Sequence, residues 1–249
     1  MAGAFMYSLM VMLLALIWAY LAIPQKTVHL QRRLLCSTYL KSQFAKYIPG
    51  NVFQYAARHA LGRQLGVEHG WLASAALLEA FLLMCAACMI VIAWGQDIAG
   101  SLVPSLPTVS PLWALLVFPL VVAIARLPRP RILKWFPNYH SGVLLCALGA
   151  YLIFFTAFGA LFHFTLTWSV DFPPGFLRAL TCSSLAWLVG FAVPGAPAGA
   201  GMREAALALA TGSFSPSAEV LTAILLFRAV TLIGDFLAFL AGLAISVRR

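Results

Sequence analysis

Along most of this chain apolar residues run together instead of alternating with polar ones. Long runs cover residues 4–23, 71–94, 112–125, 142–164, 176–193 and 220–247. Each approaches or exceeds the roughly 20 apolar residues that carry an α-helix across a bilayer. A seventh apolar piece, residues 202–212, is too short to cross alone and reads as a half-helix or short crossing. Helices of soluble domains keep a polar face, so these runs predict an all-α, polytopic membrane helix bundle. No linker, low-complexity tract or soluble module interrupts residues 1–249, which read as a single integral-membrane domain.

Two prolyl-glycyl interruptions stand out against this background: Tyr47-Ile48-Pro49-Gly50-Asn51 in the first half and Val193-Pro194-Gly195-Ala196-Pro197-Ala198-Gly199-Ala200-Gly201 in the second. Pro49 disfavours helix at Ile48 and Gly50 permits an unusual turn, so one helix is expected to end before the pair and another to begin near Asn51, a natural N-cap. Broken helices survive at membrane depth only where protein buries them or a polar cavity receives them. Paired interruptions in corresponding halves are also the best sequence pointer to a transporter's site. Between Ser37 and Arg63 aromatic and aliphatic residues interleave with Lys41, Lys46, Arg58 and Arg63. Two readings fit that mixture: a kinked amphipathic helix on the membrane surface, or a re-entrant hairpin lining a cavity. The two halves suggest an inverted repeat, although the matching sequence is little more than Pro-Gly and a later Arg.

Composition agrees with a membrane solvent: 63% of residues are hydrophobic and 9% charged, and the mean hydropathy is +0.94. The formal charge of +9 lies beside the apolar runs, in the loop from Lys26 to Arg63, at Arg126, Arg129, Arg131 and Lys134, and at Arg248 and Arg249. The loops 95–111 and 167–175 carry only Asp97 and Asp171. By the positive-inside rule the N-terminus is expected outside and the C-terminus in the cytoplasm, with seven elements of alternating direction. No Lys or Arg precedes Lys26, so the first run is expected to stay as an anchor and not to be cleaved as a signal peptide. Cations spread along membrane flanks suit anionic lipid, not nucleic acid.

Classical catalytic and metal patterns are missing. His29, His59, His69, His140 and His163 are scattered, no H-E-x-x-H, P-loop or G-x-S-x-G occurs, and Cys85-Ala-Ala-Cys88 lies inside an apolar run without a partner pair. No catalytic residue, metal or cofactor is expected, and His163 reads as a hydrogen-bonded core residue.

The residues that invite a functional reading are charges placed where they are costly. Glu79, Arg228 and Asp235 fall inside apolar runs, at a penalty of roughly 2.5–3.5 kcal/mol each on insertion scales. Arg228 and Asp235 are seven residues apart, so they share a helix face about 10.5 Å apart in rise and face one interior channel without pairing. Gly199-Ala200-Gly201-Met202-Arg203-Glu204 opens the short apolar helix. Its glycines let the backbone approach closely, its free N–H groups make an anion site, and Arg203 adds a full charge. Glu204 is read either as a salt bridge or dipole cap, or as a carboxylate competing with phosphate for arginine.

Lys41 through Asn51, followed by Arg58, together with Pro194 through Glu204 and the later Phe227-Arg228, resemble the transmembrane flippase-like region of the lysylphosphatidylglycerol synthase family, over nearly the whole chain. The family's usual Pro-Gly-Gly-x-Gly reads Pro197-Ala198-Gly199-Ala200-Gly201 here, and no aminoacyltransferase domain follows, so synthase activity is not implied. The resemblance implies a stand-alone lipid translocase in a bacterial inner membrane that handles an anionic or aminoacylated phospholipid or a polyprenyl-phosphate glycolipid. Lys46, Asn51, Arg58, Gly199, Gly201, Arg203, Glu204, Arg228 and Asp235 are the expected substrate-binding residues. Alternatives are an accessory membrane subunit or a lipid-linked transferase in envelope glycolipid synthesis. Expected partners are an anionic lipid or lipid-linked phosphate and the membrane, with a second copy of the chain or a lipid-modifying enzyme as further candidates, and no nucleic acid.

Overall fold

The computed structural model describes residues 1–23, 29–49, 52–102, 110–126, 137–193, 197–211 and 217–247. Ten α-helices run through them, and no strand occurs among the described residues. They are α1 (Ala2–Ala22), α2 (His29–Ser42), α3 (Phe53–Gln64), α4 (His69–Trp94), α5 (Gln96–Leu102), α6 (Val117–Arg126), α7 (Ser141–Ser169), α8 (Phe176–Ala192), α9 (Met202–Ala210) and α10 (Ala218–Val247). Short 3₁₀ turns occupy Gln43–Tyr47, Pro111–Leu116 and Pro197–Gly199.

Four helices are long and apolar enough to cross a membrane: Ala2–Ala22, His69–Trp94, Ser141–Ser169 and Ala218–Ser246. Phe176–Ala192 and Pro111–Ala123 are apolar but shorter than those four, and the run 112–125 is not one α-helix. Its first part is a 3₁₀ turn and α6 starts at Val117, which puts Pro119 in the first turn, where a missing N–H is tolerated.

The long helices carry no polar face because each contacts neighbours on one side and presents apolar side chains on the other. On α1, Phe5, Leu9, Leu16 and Tyr20 are exposed, while Tyr7, Val11, Leu14 and Trp18 are buried. Small residues set the closest approaches. A Cβ on Gly234 of α10 would lie 2.6 Å from Tyr7 Cδ1, and one on Gly242 would lie 2.8 Å from Leu40 Cβ. Matching contacts Gly3 to Val230 and Tyr7 to Gly234 make α1 and α10 parallel. Ser37 Oγ donates to the Gly242 carbonyl at 2.7 Å, which fixes α2 along the same seam.

The first interruption is a hairpin inserted among the helices and not a helix lying on their surface. Leu35, Tyr39 and Leu40 of α2 are buried, the backbone turns extended at Ile48 (φ −76°, ψ 130°), and α3 returns against α2 and α4. The helix begins at Phe53 with Val52 at the N-cap position, and Asn51 lies outside the described residues. At its other end Gly66 (φ +80°) takes the left-handed conformation. Its N–H donates to Arg63 O and that of Val67 to Gly62 O, at 2.9 and 3.3 Å. This is the paired closure that a glycine after a helix allows.

Candidate functional site

Both interruptions deliver charged residues to the middle of the bundle. Asp235 stands about 25 Å along α10 from its start and about 18 Å from its end, and Glu79 about 15 Å and 22 Å from the ends of α4. Both are buried. At such depth a carboxylate requires a partner.

Glu79 finds one in Arg58. The Arg58 Nη1 donates to Glu79 Oε2, its Nε to Ser42 Oγ at 3.2 Å, and Tyr39 OH to Glu79 Oε1 at 2.7 Å. The guanidinium lies 3.8 Å from the Tyr39 ring centroid and 5.3 and 5.6 Å from those of Trp18 and Tyr55. Arg58 is therefore held on every side.

Asp235 is paired with the first break. Lys46 Nζ donates to Oδ1 at 2.7 Å and Tyr47 OH to Oδ2 at 2.6 Å. Residues 43–47 wind as a 3₁₀ turn, whose threefold repeat puts adjacent side chains about 120° apart. Lys46 and Tyr47 nevertheless converge on one carboxylate from two directions.

The second break supplies the rest. Ala198 and Gly199 have φ +49° and +72°, and the chain re-enters helix through Gly201 (φ +81°), the N-cap of α9. Arg203 and Glu204 then sit in the first turn of α9. Glu204 Oε1 is 3.1 Å from Arg228 Nε, and Arg228 Nη2 donates to the Ala198 carbonyl at 3.2 Å. Arg203 differs from the other three cations. Its Nε is buried without a hydrogen-bond partner, and among the described residues no carboxylate lies within ion-pair distance of it. Glu204 Oε2 is likewise buried and unpartnered.

These groups line two adjoining cavities. One, of about 30 Å³, is bounded by Lys46, Tyr47, Arg203, Glu204, Arg228 and Asp235. The other, of about 90 Å³, is bounded by Gln43, Lys46, Tyr55, Arg58, Glu79 and Arg203 among others. Tyr7, Lys46, Phe158, Trp187 and Arg203 border both. Among the described residues they hold four cations (Lys46, Arg58, Arg203, Arg228) and three carboxylates (Glu79, Glu204, Asp235), a formal surplus of one positive charge. The volumes suit a few ordered waters, so a bulky headgroup requires the two breaks to separate.

Of the residues singled out in the sequence, Lys46, Arg203, Glu204, Arg228 and Asp235 meet in one cavity, and Gly199 lies against the Arg203 side chain, where a Cβ would be 2.8 Å from Nε. Gly201 shapes the entry to α9, and Arg58 lines the second cavity but is fully engaged by Glu79 and the rings. His163 departs from its expected role, since its Nδ1 is buried without a hydrogen-bond partner. Residues that line the site but were not among the expected binding residues include Tyr47 and Gly190. A Cβ on Gly190 would lie 2.4 Å from Arg203 Cγ and 2.5 Å from Nε. Its only sequence signal is a glycine in the last turns of an apolar helix, next to the second break. No three His, Cys, Asp or Glu side chains gather at metal-binding distance among the described residues. Comparison with protein-family models, curated proteins and solved structures gives no match.

Proposed function

We propose that this chain is a lipid translocase that receives the phosphate of an anionic or phosphate-linked lipid at Arg203, between the two helix breaks. The observation that carries this reading is the half-buried Arg203, whose Nε is buried without a hydrogen-bond partner and which has no carboxylate at ion-pair distance, where among the described residues Lys46, Arg58 and Arg228 each have one. A buried, uncompensated cation is costly, and a phosphate oxygen accepts from a guanidinium in the forked geometry that arginine favours. The start of α9 adds N–H groups of the same polarity. Lys46 and Arg228 flank this position on their own carboxylates. Asp235 and Glu204 can hand those cations to an incoming phosphate and take them back on release. The apolar outer faces of α1 and α10 keep the lipid tail in the bilayer while the headgroup crosses the polar interior. Positive flanks orient the chain with its N-terminus outside and headgroup entry from the cytoplasmic side, in the bacterial inner membrane that the resemblance implies.

The test is headgroup translocation by purified protein in proteoliposomes, using fluorescent phosphatidylglycerol and a membrane-impermeant quencher. Arg203→Ala is expected to slow protein-dependent translocation at least tenfold, the scale of one lost charge-assisted hydrogen bond. Its melting should match or exceed that of the parent, because no ion pair is broken. A folded Arg203→Ala protein that translocates at the parental rate rejects the reading.

A further inference from the structure

Two apolar grooves open on the outside of the bundle, away from the charged interior. One, of about 380 Å³, is walled by Met12, Leu16, Ala19, Cys36, Leu40 and Ile245, with Arg32 and Arg33 at its border. The other, of about 350 Å³, lies between α1 and the start of α7 and is walled by Ile17, Leu21, Val143 and Ala147. Each falls in the size range of small-ligand sites. Tyr20 borders both. The Arg32 guanidinium lies 4.4 Å from the Tyr20 ring centroid, and Arg33, beside it, is exposed.

We infer that this face is a binding site for one anionic, two-chain phospholipid, separate from the interior site. Its phosphate rests on Arg32 and Arg33, and its acyl chains run down the grooves on either side of Tyr20. The placement is consistent along the bundle. Tyr20 is near the end of α1, Arg32 and Arg33 follow shortly in α2, the second groove begins near the start of α7, and Ile245 is near the end of α10. All lie at one end of the long helices, where an aromatic ring and arginines meet a headgroup layer. Basic pockets between membrane helices select anionic headgroups in this way. The ridge formed by Tyr20 is what calls for two chains, because a single chain fills only one groove. Phe5 and Leu9, farther along the same helix, are exposed but border neither groove, which distinguishes this place from general lipid contact.

The experiment is native mass spectrometry of the full chain released from micelles containing equal dioleoyl phosphatidylglycerol and dioleoyl phosphatidylcholine. It is done in an Arg203→Ala background so that the interior contributes no anionic lipid. The expected result is one retained phosphatidylglycerol, favoured over phosphatidylcholine. That preference should fall roughly fivefold for each of Arg32→Gln and Arg33→Gln. Cys146→Trp, which fills the α1–α7 groove from an exposed position, should reduce retention of the two-chain lipid but not of its single-chain lysolipid. An unchanged anionic preference in the double glutamine variant overturns the proposal, as does equal retention of lysolipid and two-chain lipid by the parent. These outcomes leave the Arg203 translocation assay untouched, so the two readings fail separately.

Discussion

Arg203 owes its position to neighbours that have no side chain. Its aliphatic stem crosses Gly190 of α8 and its Nε passes Gly199, both closer than any Cβ would permit. Two effects compete in a Gly190→Ala variant. An alanine inside a helix gains about 0.5–1 kcal/mol over glycine, whereas forcing a methyl group into filled space costs about 1–3 kcal/mol. The contact is with Cγ, near the root of the Arg203 side chain, so the second effect is expected to win. Gly190→Ala should lower stability by about 1 kcal/mol in a detergent melt and displace Arg203, cutting phosphatidylglycerol translocation with it. Retained stability together with full translocation would show that Arg203 does not need this passage. Ala198 presents the opposite case: it adopts φ +49° with a Cβ, a left-handed conformation that costs about 1–2 kcal/mol in L-residues. The neighbouring ion pair accounts for its retention in this geometry, since the Ala198 carbonyl accepts from Arg228.

At the scale of elements, the 3₁₀ turn at residues 43–47 is fastened to α10 through one carboxylate. Asp235→Asn keeps the shape but leaves the half-buried Lys46 without its countercharge, which is expected to cost about 2 kcal/mol, below the range for a fully buried pair. Adding Lys46→Met removes the orphaned charge and should restore much of that loss. A double variant no more stable than Asp235→Asn alone would mean that the turn is held by Tyr47 and by the ring of Phe44, which packs on Phe236 and Phe239 of α10, not by the ion pair. A second junction, between α3 and α4, is fastened by two imidazoles: His59 Nε2 is 2.8 Å from His69 Nδ1 and the rings stack at 5.1 Å. One nitrogen of the pair must be unprotonated to accept. Partial burial, then His69 and Arg63, hold His59 below the ordinary imidazole range. The folded state therefore binds fewer protons than the unfolded state just below pH 6.5, so stability at this junction is present above that pH and declines as pH falls through it. Titration by NMR should place the His59 midpoint below that of a free histidine, and His69→Gln should raise it by removing the neighbouring positive charge. A midpoint at or above the ordinary value would contradict the contact.

For the whole molecule, the apolar runs foretell the helical bundle because helix in lipid satisfies its own backbone. The long helices α1, α4, α7 and α10 accordingly fall on four of the runs. Pro49 marks the first break for an equally local reason. The run 176–193 gives a helix over all but its last residue, where Val193 leaves helix at φ −89°, ψ 106°, whereas 112–125 divides into a 3₁₀ turn and α6, with Pro119 in the first turn of the helix. Burial at depth explains why Glu79, Arg203, Arg228 and Asp235 were conspicuous as residues. Their pairing was not legible, because Lys46 and Asp235 are separated by 189 positions and Arg58 and Glu79 by 21. Only packing of distant helices decides which carboxylate answers which cation. Gly190 was invisible for the same reason, since the close approach it permits comes from another helix. The surplus charge of the interior has an electrical consequence. With a monoanionic headgroup aboard, the interior is neutral and a membrane voltage does little work on it. Emptied, it carries one positive charge, worth about 2.3 kcal/mol per 100 mV if moved fully across the field. Under the proposed translocase reading the voltage-sensitive stage is thus the return of the vacant carrier, and a polarised membrane would set the pace of its resetting without acting on its cargo.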